Sequence, residues 1–248
     1  MSNKNLIHVL DKKLALHQAP NGFRTSMDSV MLGSACPDKP HQSILDLGCG
    51  VGSAGLCAIY RIEKTSLTGI DIQSDHIELA QKNASINGMS ERASFICEDI
   101  KAARLGNIFD HVICNPPYMK FDEHISSPST AKARAMGHID ANIDLQDWIA
   151  CAHRHIKGQG SFSIIHDAGQ TDNIIHALYG SRGGKMFGGV ELFPLYPRQG
   201  KPAKRIIIRA WKHKKSSCIL HQGIIMHESN GDYTKQADRI LRDAEKLF

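Results

Sequence analysis

Two stretches of this chain carry residue types that can do chemistry. Asn115-Pro116-Pro117-Tyr118 follows the strand-like run 109–114, and upstream lies a glycine-rich turn, Asp46-Leu47-Gly48-Cys49-Gly50-Val51-Gly52. An exocyclic amine or amide nitrogen is a poor nucleophile because its lone pair is delocalised into the neighbouring π system. Two acceptors, the Asn115 side-chain oxygen and the Pro116 carbonyl, can take hydrogen bonds from both N–H groups and draw that lone pair toward an electrophile. Consecutive prolines push Asn115 and Pro116 into extended geometry and leave Tyr118 to offer a flat face. Alone, an Asn-Pro-Pro string reads most simply as a turn ending a strand. The order and distance of the glycine turn raise it to a catalytic segment for methyl transfer to a planar NH2 group.

The elements around these stretches are those that would position them. The apolar run 43–47 meets glycines at once, as the first strand of a doubly wound sheet does on passing into its first helix. Gly48, Gly50 and Gly52 supply a tight turn, close backbone approach and tight helix packing for a nucleotide-like ligand. A helix over 54–60 and an apolar strand over 66–70 follow. Asp71 then lies about 20 residues past the glycines at a strand's carboxyl end, where it can accept both ribose hydroxyls. An amphipathic helix is expected over 74–87, stopping at Asn87-Gly88. After a third strand over 93–97, Asp99 can accept from an adenine amine or cap the segment beyond it. In an open parallel sheet the carboxyl edge gathers the turn, Asp71, Asp99 and Asn115 into one crevice.

The remaining chain is less specific. Residues 1–16 are expected to form a hairpin arm, and 26–33 a short helix capped by Ser26 or Asp28. That helix either packs Val30 and Leu32 on the core or closes over a cofactor, with Asp28 as a cofactor-side residue. The polar segment 121–140 reads as a loop over the substrate. Helices over 145–156 and 171–179, strands over 160–166 and 189–193, and a loop at 181–185 come next. The run 203–211 is a strong β segment, expected to be antiparallel and to complete the sheet. Before it, Tyr196 to Arg205 is dense in positive charge; Arg198, Lys201, Lys204 and Arg205 are either a solvated face or phosphate contacts. A charged amphipathic helix ends the chain.

Composition sets the outer limits. The chain has 248 residues, 42% hydrophobic and 22% charged, with a formal net charge of +5. This suits one α/β domain, with an arm over 1–42, a core over 43–211 and an extension over 212–248. No apolar run approaches a membrane span and the amino terminus has no signal-like region, so a cytoplasmic location is expected. Seven cysteines, odd in number and without a C-x-x-C pair, indicate neither zinc nor a disulfide framework, and the fourteen histidines lack ligand spacing. No metal is therefore expected. The basic balance is compatible with a polyanionic partner.

These residues resemble the class I methyltransferases that use S-adenosylmethionine, and among them the amino-group methylases with an Asn-Pro-Pro-Tyr motif. The closer resemblance is to the bacterial tRNA(Val) adenine-N(6) methyltransferase family. It rests on Gly22-Phe23-Arg24 with Met27 to Leu32, on Gly200-Lys201-Pro202-Ala203-Lys204-Arg205, and on His227-Glu228 with Gly231-Asp232-Tyr233-Thr234. The resemblance implies a Rossmann-like α/β fold and S-adenosylmethionine as cofactor. It places the cofactor loop on Asp46, Gly48, Gly50 and Gly52, the ribose acid on Asp71, the adenine-side acid on Asp99, and catalysis on Asn115, Pro116, Pro117 and Tyr118. The implied substrate is a tRNA adenine beside the anticodon, turned out of its stack onto Tyr118. A glutamine amide of a translation release factor presents the same geometry, but those enzymes usually carry a helical domain ahead of the core. Methylation of ribosomal RNA guanine amines also fits the motif. An inactive RNA-binding protein would keep the fold without the reaction, and a nicotinamide-dependent dehydrogenase would share the glycines. Both of these are disfavoured by the intact Asn115 to Tyr118 segment.

Overall fold

The computed structural model describes residues 5–19, 25–39, 42–117, 143–180 and 186–248. Tyr118, the Gly22-Phe23-Arg24 motif and the segments 121–140 and 181–185 lie outside the described residues. The arm is a hairpin of β1 (Leu6–Val9) and β2 (Leu14–His17), paired antiparallel, followed by helix α1 (Met27–Ser34). Next come β3 (Ser43–Leu47), α2 (Ser53–Arg61), β4 (Ser66–Asp71), α3 (Ser74–Ile86), β5 (Ala93–Cys97) and β6 (Phe109–Cys114). The second half holds α4 (Leu145–His155), β7 (Ile156–Asp167), α5 (Thr171–Tyr179), β8 (Phe187–Tyr196) and β9 (Arg205–Lys212). Two short strands, β10 (Ile219–Leu220) and β11 (Ile224–Ile225), precede α6 (Lys235–Asp243).

Nine strands form one sheet in the order β10-β8-β9-β7-β6-β3-β4-β5, with β11 also on β8, and β9 is its antiparallel member. The expected α/β architecture with a mostly parallel sheet is the one observed. One feature of the expectation is corrected: the antiparallel strand does not complete the sheet but is inserted between β7 and β8. Its Ile206, Ile207 and Ile208 are all buried, as a strand covered on both faces requires. The two strands beyond it are two residues each, too short to leave a periodic signal.

Alternation along the strands divides the core. Ile44, Ile113, Ile165 and Ile207 face the side packed by α1, α2, α3 and α6, whereas Leu45, Leu47, Val112, Ile164 and Ile208 face α4 and α5. On the second side Phe162 and Phe187 are fully buried with ring centroids 5.6 Å apart, each burial contributing roughly 1.5–3 kcal/mol. On the first side α1 crosses α2 closely. A Cβ on Gly33 would stand 2.9 Å from both the Ala54 carbonyl and the Cys57 side chain, so glycine sets the approach.

His111 is buried in β6 with Nδ1 bonded to the Ser161 hydroxyl. Burial pushes its pKa down to about 4, against the opposing pull of Asp110 and with Arg209 adding to the depression. A base with a depressed folded pKa stays neutral in the fold while the unfolded chain gains the proton first. Stability from His111 is therefore complete above about pH 6.5 and is lost as pH falls toward 4. His111→Gln should narrow the difference in melting temperature between pH 7 and pH 4.5 relative to the wild type. An unchanged difference would assign the acid sensitivity to other groups.

Candidate active site

The register of three adjacent strands builds the site. Leu47 pairs with Ile70 on one side and with Cys114 on the other, so Gly48, Asp71 and Asn115 are the next residues outward on neighbouring strands. One β step further, Asp71 pairs with Cys97, and Asp99 follows just beyond. The sequence-predicted residues of the core are thus brought together along one carboxyl edge.

The turn itself is left-handed at all three glycines, with φ of 63° at Gly48, 53° at Gly50 and 84° at Gly52. Their surroundings differ. A Cβ on Gly48 would meet the Trp148 ring at 2.6 Å and one on Gly52 the Phe95 ring at 3.2 Å, whereas nothing lies within 4 Å of that position on Gly50. Gly50 is therefore where a ligand can approach the backbone. Asp71 fixes this turn. Its Oδ2 accepts the Gly50 N–H at 2.9 Å and its Oδ1 the Gln73 N–H at 3.0 Å. A carboxylate offers about four lone-pair sites, so both oxygens keep capacity for further donors. His76 Nδ1 lies 3.7 Å from Oδ1, and the neighbouring carboxylate raises the imidazole's pKa despite its burial.

Asp46 faces inward rather than toward the crevice. Its Oδ2 accepts the Gly55 N–H at 3.0 Å, tying β3 to the first turn of α2. Burial raises its pKa to about 7, a shift the Gly55 hydrogen bond opposes and the charge of Asp71 adds to. Asp99 Oδ1 accepts the Lys101 N–H at 2.9 Å, the capping role foreseen as one of its two. Asn115 differs from all of these. Its side-chain Oδ1 is buried and has no hydrogen-bond partner, an arrangement that costs about 1–3 kcal/mol unless a donor is supplied. Pro116 behind it is buried and Pro117 exposed.

Ser26 caps α1, its side chain accepting from the Asp28 N–H. Asp28, expected on the cofactor side, places its Oδ2 3.1 Å from Arg205 Nε. Arg205 also reaches Asp167 Oδ2 at 3.3 Å, so two carboxylates surround one of the four expected phosphate ligands. Arg198, Lys201 and Lys204 are exposed. The sequence reading missed two residues. Trp148 of α4 lies against Gly48, and Ile72 leaves the strand end 51% exposed. A lone aromatic in an amphipathic helix carries no signal of such a contact, but an isoleucine directly after the strand-end acid is unexpected at an exposed turn and could have been noticed.

The model of the methyltransferase small domain matches residues 24–174. The chain belongs to that family. Its cofactor is S-adenosylmethionine, and the open face at Gly50, the acidic strand end at Asp71 and the orphan Asn115 acceptor fit a charged nucleoside beside a polar acceptor substrate. Among curated relatives, a tRNA1(Val) (adenine(37)-N6)-methyltransferase of Vibrio campbellii is 27% identical over 94% of this chain and 92% of its own. One of the same name from Shewanella halifaxensis is 36% identical over 64% and 61%. Among solved structures, a crystal structure described as a predicted O-methyltransferase of Agrobacterium tumefaciens aligns with a TM-score of 0.71 at 26% identity, covering 89% of this chain and 98% of that one. The match ends within α5, so the basic turn at Arg198 to Arg205 lies beyond the matched residues.

Gly48→Ala should lower the melting temperature more than Gly50→Ala. Both residues carry the left-handed strain of roughly 1–2 kcal/mol, but the Gly48 variant also drives a methyl into Trp148. Adding Trp148→Ala should make the combined loss smaller than the sum of the single losses; strict additivity would mean the ring does not restrict the turn.

Proposed function

We propose that the protein methylates the exocyclic amine of an adenine in tRNA, beside the anticodon, and that the tRNA is a valine tRNA, as the names of the relatives say of theirs. The observation that carries this reading is the buried, partnerless Asn115 Oδ1 at the end of the central strand β6. An oxygen held there without a donor suits a substrate that brings an N–H. Asn115 Oδ1 and the Pro116 carbonyl accept the two N–H groups of the amine and hold its lone pair toward the donor's side of the crevice. S-adenosylmethionine, when bound, supplies a sulfonium methyl as the electrophile. An amine alkylated there would be strongly acidic and would lose its proton to solvent, so Asn115 needs no basic partner.

Gly50 would present its open backbone to the cofactor within the turn that Gly48 and Gly52 shape, Asp71 would take its ribose hydroxyls on the unused lone pairs, and Asp99 would accept from its adenine amine. Asp46 supports the turn from beneath through Gly55, and Asp28 supports α1 through Arg205. Tyr118 stacks the target base, a contact worth about 1–3 kcal/mol. Arg198, Lys201 and Lys204 are phosphate ligands. Among the described residues no helix is long and apolar enough to cross a membrane and no three side chains are grouped as metal ligands. We place the protein with its tRNA in the cytoplasm.

Asn115→Ala should cut turnover on unmodified tRNA about 100-fold or more while leaving affinity for S-adenosylhomocysteine near that of the wild type. Collapse of cofactor binding would remove Asn115 from the amine. Nucleoside analysis after transfer of labelled methyl, with release factor as a parallel acceptor, separates N(6)-methyladenosine from an amide product.

A further inference from the structure

Beyond the matched residues 24–174, the turn between β8 and β9, the strand β11 and the start of α6 wall a cleft of about 750 Å³. It opens on the same carboxyl edge as Asn115, on the far side of β7 and β9. Arg198, Lys201 and Lys235 line it, with Glu228 as the single carboxylate among its lining residues. All three cations are exposed, and among the described residues none is paired with a carboxylate. The turn that carries two of them is closed by the Lys201 N–H donating to the Arg198 carbonyl at 3.2 Å.

Beside the cleft stands an aromatic pair. His227 and Tyr233 stack with centroids 4.8 Å apart and planes at 24°, and Tyr233 remains 38% exposed. The pair is held against the basic turn. The His227 backbone N–H donates to the Pro197 carbonyl at 3.2 Å, and His227 Nδ1 lies 3.1 Å from the Gly231 carbonyl. Across from it the Thr234 hydroxyl donates to the Ile225 carbonyl at 2.6 Å, fixing the far end of the same short loop. The result is a pre-ordered ring face next to unpaired cations, the combination that binds single-stranded nucleic acid by phosphate contact and base stacking.

We propose that this cleft is a second RNA contact: Arg198, Lys201 and Lys235 hold phosphates of the strand flanking the target adenine, and Tyr233, backed by His227, stacks a neighbouring unpaired base. The inference rests on the tRNA reading above and adds Lys235 and Tyr233 to the substrate contacts while leaving Arg205 to its carboxylates. An acidic protein segment would use the cations but leave the ring face without a role.

The test uses the full-length protein and unmodified tRNA. Replacing Arg198, Lys201 and Lys235 together by Ala should raise KM for tRNA and lower the slope of log affinity against log salt by about 2, with S-adenosylhomocysteine affinity unchanged. Tyr233→Ala should weaken tRNA binding about tenfold, Tyr233→Phe should retain it, and both should melt as the wild type does. Methylation of tRNA by the wild type combined with an unaltered KM and salt slope in the triple variant would overturn this inference alone. Failure of the wild type to methylate tRNA would overturn it together with the reading it rests on.

Discussion

The hydrogen bond from the Gly50 N–H to Asp71 Oδ2, 2.9 Å long, is the contact on which the site depends. A turn with three alternate left-handed glycines has little intrinsic preference for one shape, and its conformational freedom must be removed by something outside it. Asp71 does so with a charge-assisted bond from the neighbouring strand. Because the same carboxylate also takes the Gln73 N–H, one side chain fixes the cradle at Gly50 and the start of α3 together. The parallel register at Leu47 then brings Asn115 to the opposite flank. Cradle, acid and acceptor are thereby placed by two strand pairings and one carboxylate, with no loop required to set their spacing.

The central half of this arrangement was legible in the sequence because short apolar runs meeting Gly, Asp or Asn-Pro admit few other structures. Strand ends at Leu47, Asp71 and Cys114 are marked by the residues that follow them, and a doubly wound sheet gathers such ends on one edge. What could not be read are contacts made across long sequence separations. Trp148 reaches Gly48 only because α4 packs on the far face of β3. Arg205 looks like one more cation in a basic run. Nothing local reveals that Asp28 and Asp167 meet it from elements far away in sequence. The position of β9 inside the sheet was missed for a related reason: three consecutive isoleucines say that both faces are covered, but not that both edges are paired.

The basic turn therefore divides by geometry into paired and unpaired cations that charge alone merges. Arg205 is a framework residue joining α1 to the ends of β7 and β9, whereas Arg198 and Lys201 project from the tip of the turn. Exposed and partly screened ion pairs add little stability. The Asp28 carboxylate is nearly buried, however, and Arg205 neutralises it there, so the pair acts chiefly by fixing where α1 lies. Together with the Thr25 hydroxyl 2.5 Å from that of Ser53, this holds α1 beside the glycine turn.

The carboxyl-terminal segment shares that frame. The Leu247 N–H donates to the Ser34 carbonyl at the end of α1 at 3.0 Å. Phe248 sits under the Arg209 guanidinium at 3.8 Å and against Phe193 at 4.9 Å, while Arg209 is bonded to Glu191 at 2.6 Å. A buried ion pair covered by an aromatic ring is rigid, because moving either partner leaves a charge uncompensated. The chain end is thus locked to both β8 and α1, so the cleft beside α6 and the crevice at Asn115 are parts of one body. A polynucleotide that engages both is held at a fixed span, and orientation of the target amine then comes from distance along the sheet edge rather than from flexible segments.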